Sequence, residues 1–507
     1  MDTAQKNYTH LVKKSRHARI LESTLALLEW DQETQMPPGA SEIRSEQIAT
    51  LAGLVHKART SNSFKKALSR LISIEDGSIE NDGLSEAQVS ALKKWRREYL
   101  KETALPASFV AEFAKTTSRA QVVWREAKKA SDFKLFAPYL EKIIALCRKK
   151  AELIGYQDHP YNALLDHYEE GMTTNEVETV FNPLKEAVPA LLRKIQAAAP
   201  IEDSFLHGSF PEEKQIAFSK RILSDIGYDM NYGRLDFSTH PFSSAFHPTD
   251  SRITTRIHPT SLVSNIFVIL HEAGHGLYEM GLPGEHYGSP LGNSISLGIH
   301  ESQSRWWETR IGQSGAFWKH YFPLLQNEFK GKLLEVSEKD FYRAVNKVEP
   351  SFIRVEADEV TYPLHVIIRF ELEKDLIGGS LRAYDIPEAW NQKVQDYLGL
   401  RPKNNAEGCL QDVHWSMGGF GYFPTYTLGN LFAAQLFNAF ENEEPDWQQK
   451  VAKGEFMFIK NWLNQKIHRH GQRYTSKELV KQVTGRDFSS EDYIRYLNTK
   501  YKEIYKL

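Results

Sequence analysis

Cysteine is almost absent from this sequence, which has 2 cysteines among 507 residues. The thiols of Cys147 and Cys409 are too few for the disulfide framework that stabilises many small secreted proteins. Residues 1–19 are polar and contain several Lys and His side chains, so they lack the apolar segment of a secretory signal peptide. Both absences predict a reducing compartment, and we expect a cytoplasmic protein.

Long apolar runs and an excess of charge of one sign are also missing. The longest apolar runs, such as residues 266–270, are far shorter than the roughly 20 residues that cross a bilayer, so no membrane partner is predicted. The 63 basic and 65 acidic side chains leave a formal net charge of −2. This balance provides no electrostatic attraction to nucleic acids, which we therefore do not expect as partners.

What the sequence has in abundance is helical periodicity. Hydrophobic residues make up 41% of the chain and charged residues 25%, as in a folded globular protein. Apolar residues recur three to four positions apart, which is typical of amphipathic helices. This pattern covers residues 8–30, 86–101, 106–130, 139–154 and 175–197. No repeat or flexible linker divides the chain, so we predict one domain over residues 1–507, with two lobes around a groove as an alternative.

Strand-like sequence is confined to one short region. Residues 234–238 and 252–257 alternate in polarity, are rich in β-branched or aromatic residues, and are separated by turn residues. They predict a small sheet or a hairpin just ahead of the next helix. Neither βαβ alternation nor a glycine fingerprint occurs, which argues against a Rossmann-type domain. The predicted fold is mainly α with a small β-sheet.

The most informative motif is the sequence HEAGH at residues 271–275, in a predicted helix over residues 261–280. Side chains four positions apart share a helix face, so His271 and His275 can direct both imidazoles at one metal ion. Glu272 lies one position along and can reach a water molecule bound to that metal. The pattern is typical of zinc peptidases. A helix with two hydrogen-bonded histidines and no metal is the alternative.

A catalytic zinc ion usually has three protein ligands and one open position. A second predicted helix, residues 296–311, carries the adjacent His300 and Glu301, and the glycine-rich residues 281–293 can turn the chain back towards the first helix. The spacing alone excludes neither residue as the third ligand. We favour Glu301, because sites with two histidines and one glutamate commonly take the carboxylate from the next helix.

These residue types together predict hydrolysis of a peptide bond. Zinc polarises the scissile carbonyl group and lowers the pKa of its bound water. Glu272 is then the general base that moves the proton to the leaving nitrogen. The oxyanion needs a second stabiliser, for which His414, Tyr422 and Tyr426 are candidates. They lie in residues 411–426, where three glycines predict a pliant backbone. Ordinary packing is the alternative for each of them.

Several motifs resemble those of the thermostable carboxypeptidase Taq family of zinc metallocarboxypeptidases. The matching segments are LLEWDQET at 27–34 followed by MP at 36–37, HPF at 240–242, DSRIT at 250–254, HEAGH at 271–275, HESQ at 300–303, IRVEAD at 353–358 and GCLQDVHW at 408–415. Seven blocks in the family's order, spread over nearly the whole chain, identify the sequence as a member.

The resemblance implies properties that the residues alone do not. It implies a large helical body with a deep groove, similar to neurolysin and angiotensin-converting enzyme, and a homodimer. It implies removal of C-terminal residues, with broad specificity, from peptides that have a free C-terminus. One Zn²⁺ per chain, replaceable by Co²⁺, is the implied cofactor. In the family pattern Glu301, and not His300, corresponds to the third ligand.

A carboxypeptidase must also recognise the terminal carboxylate of its substrate, which the planar guanidinium of an arginine does best. Arg354 and Arg252 lie in matched motifs and are the candidates, and we prefer Arg354. An ion pair between Arg252 and Asp250 that shapes the groove is the alternative for Arg252. His240 and His414 are further candidates for binding substrate or donating to the oxyanion.

Two rival functions differ from this prediction in particular residues. An endo-acting oligopeptidase would use the same zinc chemistry without a carboxylate anchor, so the role of Arg354 discriminates. A binding protein with a structural metal belongs to a different class. Structural zinc sites usually have four ligands and are rich in cysteine, whereas this chain has 2 cysteines in all and retains Glu272.

Overall fold

The computed structural model describes residues 3–79, 83–331 and 333–507, with 68% helix and 4% strand. The α-helices of these residues are α1 (Thr3–Thr34), α2 (Ser41–Thr60), α3 (Asn62–Leu68), α4 (Glu86–Ala104), α5 (Ala107–Ala130), α6 (Phe133–Ile154), α7 (Tyr161–Leu165), α8 (Thr174–Ala197), α9 (Glu212–Asp225), α10 (Ser264–Met280), α11 (Leu297–Arg305), α12 (Gly315–Glu328), α13 (Glu338–Val345), α14 (Tyr362–Gly378), α15 (Ile386–Leu398), α16 (Pro424–Glu443), α17 (Trp447–Ala452), α18 (Met457–Lys466), α19 (Ser476–Thr484) and α20 (Glu491–Tyr505). The prediction of a mainly α fold is confirmed. Among the described helices, none has the length and apolar character that crossing a membrane requires.

The five helices predicted from periodicity correspond to α1, α4, α5, α6 and α8. The largest difference is the start of α6, which precedes the predicted start by six residues (139 − 133 = 6). Asp132 caps this helix, because its carboxylate accepts a hydrogen bond from the backbone N–H of Lys134. Pro138 is the sixth residue of this helix, and because proline has no N–H it cannot donate the helical hydrogen bond to the carbonyl oxygen of Lys134.

Three strands form the small sheet: β1 (Gly233–Phe237), β2 (Ser243–His247) and β3 (Asp250–Thr255). The order is β1-β3-β2, with β1 parallel and β2 antiparallel to β3. The two predicted strands correspond to β1 and β3. Because these two run parallel, they form a sheet and not a hairpin, and the strand between them in sequence was not predicted.

The sheet packs against α10, the helix that contains the HEAGH motif. The hydroxyl of Ser251 on β3 donates to the carbonyl oxygen of Gly276 over 3.3 Å. A Cβ atom at Gly276 would lie 2.7 Å from the ring of Tyr228, so a larger residue would push the helix away. The buried Thr255 and Asn265 form a second bond, of 2.6 Å, between the strand and the helix. The sheet therefore fixes the position of α10.

Buried apolar side chains of the described residues form two clusters. The larger one extends from α5 to α20 and includes the inner faces of α10, α11 and α16. The smaller one belongs mainly to α1, α3 and α4 and includes Leu11, Leu68 and Trp95. Leu291, from the connection between α10 and α11, is also a member of the smaller cluster. The N-terminal helices thus have a core of their own, and the prediction of one domain over residues 1–507 stays a prediction.

Candidate metal centre

Helices α10 and α11 cross at very short range, and the crossing depends on a glycine. A Cβ atom at Gly274 would lie 2.5 Å from the backbone oxygen of Gln303, which is closer than any Cβ atom can come. On the other side of α11, a Cβ atom at Gly429 of α16 would lie 2.6 Å from the Cβ atom of Glu301. Because glycine has no Cβ atom, Gly274 and Gly429 let the three helices pack closely around Glu301.

The crossing brings together His271, His275 and Glu301, the three candidate ligands. The Oε2 atom of Glu301 lies 3.8 Å from Nε2 of His271 and 3.6 Å from Nε2 of His275. Within the described part of the chain, they are the only group of three or more His, Cys, Asp or Glu residues with ligand atoms mutually within 4.8 Å. Two ligands of a tetrahedral zinc ion lie about 3.4 Å apart, for metal–ligand distances of about 2.1 Å. The donor set and its spacing therefore fit such an ion.

The other polar atom of each candidate ligand is already bonded. Nδ1 of His271 lies 2.8 Å from Oε2 of Glu308, and Nδ1 of His275 lies 2.6 Å from Nδ1 of His300. Metal-binding histidines commonly have their second nitrogen held in this way. His300, the rival third ligand, lies outside the group of three.

Arg305 organises the acidic side of the centre. Its Nε donates to Oε1 of Glu301 over 2.9 Å, and its Nη1 donates to Oε2 of Glu308 over 3.1 Å. Its guanidinium also stacks 4.4 Å from the ring centre of Tyr362, at the start of α14. Neither Arg305 nor Glu308 was predicted. They follow Glu301 by four and seven residues (305 − 301 and 308 − 301), a spacing that places side chains on one helix face and could have identified them.

Glu272 is buried beside the candidate ligands, and the described residues offer its carboxylate no hydrogen-bond donor. Burial raises its pKa to about 7; His271 opposes this effect, and the carboxylates of Glu301 and Glu308 add to it. Burial lowers the pKa of His271, but the same two carboxylates outweigh burial and raise it to about 9. The carboxylates of Glu301 and Glu308 thus stabilise a positive charge at the position of His271.

His414, Tyr422 and Tyr426 lie together, as a shared role requires. Nε2 of His414 is 3.3 Å from the hydroxyl of Tyr426, and the two tyrosine rings are 5.4 Å apart. Burial and the nearby Glu301 carboxylate raise the pKa of Tyr422. Burial lowers the pKa of His414 to about 4, and nearby arginines contribute to this shift. At neutral pH all three side chains are therefore uncharged and can donate hydrogen bonds, and both tyrosines lie near the Glu301 carboxylate.

The loop that bears these residues is anchored, in contrast to the pliant backbone predicted from its glycines. Buried Glu373 on α14 accepts hydrogen bonds from the hydroxyl of Tyr161 (2.6 Å), Nε1 of Trp415 (2.8 Å) and the backbone N–H of Gly421 (3.0 Å). Gly421 has a φ of 91°, and a Cβ atom there would lie 2.7 Å from the backbone of Leu164. Gly421 therefore allows the loop to pack closely against α7.

Arg354, the preferred carboxylate anchor, is buried and already has an anionic partner. Its Nε and Nη2 donate to Oδ1 of Asp412 over 3.0 and 2.9 Å, and its Nη1 donates to the hydroxyl of Tyr362 over 3.2 Å. Arg369 donates to the other carboxylate oxygen of Asp412 over 2.7 Å. Two guanidinium groups therefore share one carboxylate, which leaves a surplus positive charge. Tyr362 links these arginines to the candidate metal centre, because its hydroxyl bonds to Arg354 and its ring stacks against Arg305.

Arg252 and His240 have no direct contact with the candidate ligands in the described residues. Arg252 donates to both carboxylate oxygens of Asp250, over 2.8 and 3.0 Å, so the ion pair considered as its alternative is present. Its guanidinium also lies 4.6 Å from the ring centre of Trp30 on α1. His240 is exposed in the connection between β1 and β2, and its carbonyl oxygen accepts a bond from Ser238.

Known proteins resemble the chain over almost its entire length. The model of the carboxypeptidase Taq (M32) metallopeptidase family matches residues 10–501. Thermostable carboxypeptidase 1 of Thermus thermophilus is 43% identical, with 99% of this chain and 100% of the relative covered. Carboxypeptidase 1 of Bacillus subtilis is 40% identical, with 100% and 99% covered.

Solved structures agree with these sequence relatives. The crystal structure of an M32 carboxypeptidase from Deinococcus radiodurans superposes with a TM-score of 0.95 at 38% identity, covering 99% of this chain and 100% of that one. Metallocarboxypeptidase 1 of Trypanosoma cruzi gives a TM-score of 0.91 at 35% identity, covering 98% and 99%. The chain belongs to the carboxypeptidase Taq (M32) family and is a metallocarboxypeptidase that acts on peptides.

Proposed function

We propose that this enzyme removes C-terminal residues one at a time from peptides of broad side-chain composition, with one Zn²⁺ held by His271, His275 and Glu301. The observation that carries the proposal is the convergence of two Nε2 atoms and one Oε2 atom whose companion atoms are bonded elsewhere. When bound, zinc polarises the scissile carbonyl and lowers the pKa of the attacking water. Co²⁺ prefers similar nitrogen and oxygen ligands, and we expect it to substitute.

Glu272 is the proposed general base. Its carboxylate accepts the proton of the attacking water and transfers it to the leaving nitrogen. Two features support this role: it follows a candidate ligand directly, and no hydrogen-bond donor within the described residues occupies its carboxylate.

Tyr422, Tyr426 and His414 are the proposed donors to the oxyanion. Burial raises the pKa of both tyrosines, so their phenol groups keep the proton that they donate. The lowered pKa of His414 leaves its imidazole neutral, with one N–H available. Because Glu373 anchors the loop, these donors are held in place before substrate arrives, which is the arrangement that lowers a transition-state barrier.

The surplus positive charge around Asp412 supports Arg354 as the anchor for the substrate carboxylate. An arginine has five N–H donors, and the bonds of Arg354 to described residues use three of them. A terminal carboxylate would balance the second guanidinium charge of the pair formed with Arg369. Arg252 is the alternative anchor, and His240 a candidate contact to the rest of the peptide.

The experiment that tests this function is a timed digest of one peptide with a free C-terminus and of its amidated twin, followed by mass spectrometry. We expect successive loss of single C-terminal residues from the free acid and little cleavage of the amide. Internal fragments would instead indicate an oligopeptidase. Equal cleavage of both peptides would contradict a carboxylate anchor.

The same pair of peptides tests Arg354 directly. Leaving one charge of a buried pair without its partner costs about 2–5 kcal/mol, so Arg354→Ala should lower kcat/KM on the free acid roughly 30-fold to several thousand-fold. Amidation should harm the wild type by a similar factor and add little loss in the variant. If the two losses multiply, Arg354 is not the anchor and Arg252 becomes the next to replace. Arg354→Lys separates loss of charge from loss of the planar fork.

We also propose a homodimer and a cytoplasmic location. The dimer is inferred from the family, and light scattering after size exclusion should give twice the chain mass; the mass of one chain would contradict it. The location is supported by Cys147 and Cys409, which are both free and buried.

A further inference from the structure

His300 precedes the candidate ligand Glu301 in sequence, but its ring is bonded away from the three candidate ligand atoms. Its Nδ1 lies 2.6 Å from Nδ1 of His275. Its Nε2 lies 2.9 Å from Oε1 of Glu279, near the end of α10. His300 thus bridges the two ends of one turn of α10, with a candidate ligand on one side and a carboxylate on the other.

The chemistry of these atoms fixes which nitrogens carry hydrogen. An ionised carboxylate can only accept, so the bond to Glu279 places the hydrogen of His300 on Nε2. Nδ1 of His300 then has a lone pair and accepts from the N–H at Nδ1 of His275. This leaves the lone pair of His275 on Nε2, the atom 3.6 Å from Glu301. A metal ion needs a lone pair at that position.

We propose that His300, held by Glu279, is a positioning residue that keeps His275 in the tautomer and ring orientation that bind the metal. The proposal rests on the proposed zinc site. His271 needs no such bridge, because Glu308 accepts from its Nδ1 directly over 2.8 Å. The two histidines of the motif are therefore oriented by different means, one by a carboxylate and the other by an imidazole with a carboxylate behind it.

A purely structural role for His300 is the competing explanation, because its ring also packs 5.1 Å from Tyr278. The chain provides a matched control in His468. This buried histidine packs 5.0 Å from the same tyrosine, and its Nε2 lies 2.9 Å from Oε1 of Gln303 on α11. It has no contact with His275 among the described residues.

The test measures zinc affinity of metal-stripped protein by competition with a coloured chelator. His300→Phe keeps the ring but removes the acceptor, and we expect affinity to fall about 10- to 100-fold, the usual loss for a group that orients a ligand. His300→Asn places an amide oxygen near the former Nδ1 and should recover most of the affinity. His468→Phe should bind zinc as the wild type does.

Wild-type affinity in His300→Phe, or an equal loss in His468→Phe, would overturn the proposal. Should His300→Phe not fold, Glu279→Leu provides the second variant. It leaves the bond between His275 and His300 but frees Nε2 of His300, so a loss is expected, and wild-type affinity would again count against the bridge. If the wild type itself binds no zinc, the zinc site fails and the proposed role of His300 fails with it, whereas wild-type binding with unchanged affinity in the variants overturns only the role of His300.

Discussion

Each candidate ligand has two polar atoms that could face a metal, and in each of them one is already bonded. Oε1 of Glu301 accepts a hydrogen bond from Arg305. Nδ1 of His271 is bonded to Glu308, and Nδ1 of His275 is bonded to His300. The atoms that remain converge on one point. At the scale of residues, the centre is therefore defined as much by the partners that occupy the unused atoms as by the ligands.

The role of Glu272 can be separated from that of a ligand by replacing it with an isosteric amide. Glu272→Gln should keep zinc bound, since no metal ligand is lost, while kcat falls at least about 10²-fold, the usual contribution of a general base. Metal analysis and kinetics on the same sample test both halves. Loss of zinc would show that Glu272 is a ligand, and unchanged kcat that it is not the base.

The relative positions of single residues were most predictable where the spacing along one helix decides the geometry. The four-residue interval places His271 and His275 on one face, but adjacent His300 and Glu301 could not be separated in this way. The pairing of Arg354 with Asp412 joins positions 58 residues apart. No local pattern reveals such a bond, so Arg354 was predicted as a carboxylate anchor without its anionic partner.

At the scale of elements, the crossing of α10 and α11 is the feature on which the centre depends. Gly274→Ala would place a Cβ atom 2.5 Å from a backbone oxygen that has no freedom to move aside. The helices must then separate, and we expect a loss of about 1–3 kcal/mol in stability, as for overpacked cores, together with weaker zinc binding. Thermal unfolding and zinc titration measure both.

Gly53 in α2 is the matched control for this substitution. A Cβ atom there has nothing within 4 Å, so Gly53→Ala should raise stability by about 0.5–1 kcal/mol, the helix preference for alanine. Zinc binding should not change. Wild-type zinc affinity in Gly274→Ala would mean that the close crossing is not needed to assemble the site.

The five helices predicted from periodicity were found, because an amphipathic face depends only on the spacing of apolar residues within the helix itself. Strand β2 and the π-helix after α11 are among the elements near the site that the sequence did not predict. The strand β2 has the sequence SSAFH, which lacks regular alternation, and it is defined by its pairing with β3. The predicted helix over residues 296–311 ends its α-helical part at Arg305 and continues as a π-helix, Trp306–Gly312. Hydrogen-bond shifts of this kind depend on tertiary packing.

At the scale of the whole molecule, buried carboxylates make stability depend on pH. Burial raises the pKa of Glu373 to about 7, although three hydrogen bonds to its carboxylate oppose the shift. The unfolded value is about 4.5. Between these values the folded protein holds a proton that the unfolded chain releases, so this contribution to stability is complete below about pH 4.5 and is lost as pH rises through about 7.

Glu373→Gln removes this titration, and the comparison with wild type isolates it. Relative to the wild type, the variant should gain stability from pH 5 to pH 8, by on the order of 2–3 kcal/mol at 1.36 kcal/mol per pH unit. Denaturant midpoints of both proteins across this range provide the measurement. Parallel pH profiles would contradict the assignment, whatever the absolute stability of the variant.

Composition and periodicity predicted a large helical protein, but not how its helices divide between cores. The N-terminal helices have a separate core that includes Leu291, from the connection between α10 and α11. A core that includes residues distant in sequence requires neither a linker nor a change in composition. The sequence alone therefore did not indicate the boundary between the two cores. The position of Leu291 in this core also places the N-terminal helices directly against the chain segment that joins α10 and α11, the two helices of the candidate metal centre.

The central claim is that His271, His275 and Glu301 hold the one metal ion on which activity depends. Titrating metal-stripped protein with Zn²⁺ while following hydrolysis of a free-acid peptide tests it most directly. We predict no activity at the start, a linear rise, and saturation at one zinc per chain, with Co²⁺ also restoring activity and Glu301→Gln requiring far more zinc. Full activity in the stripped protein, or unchanged zinc affinity in Glu301→Gln, would contradict the account.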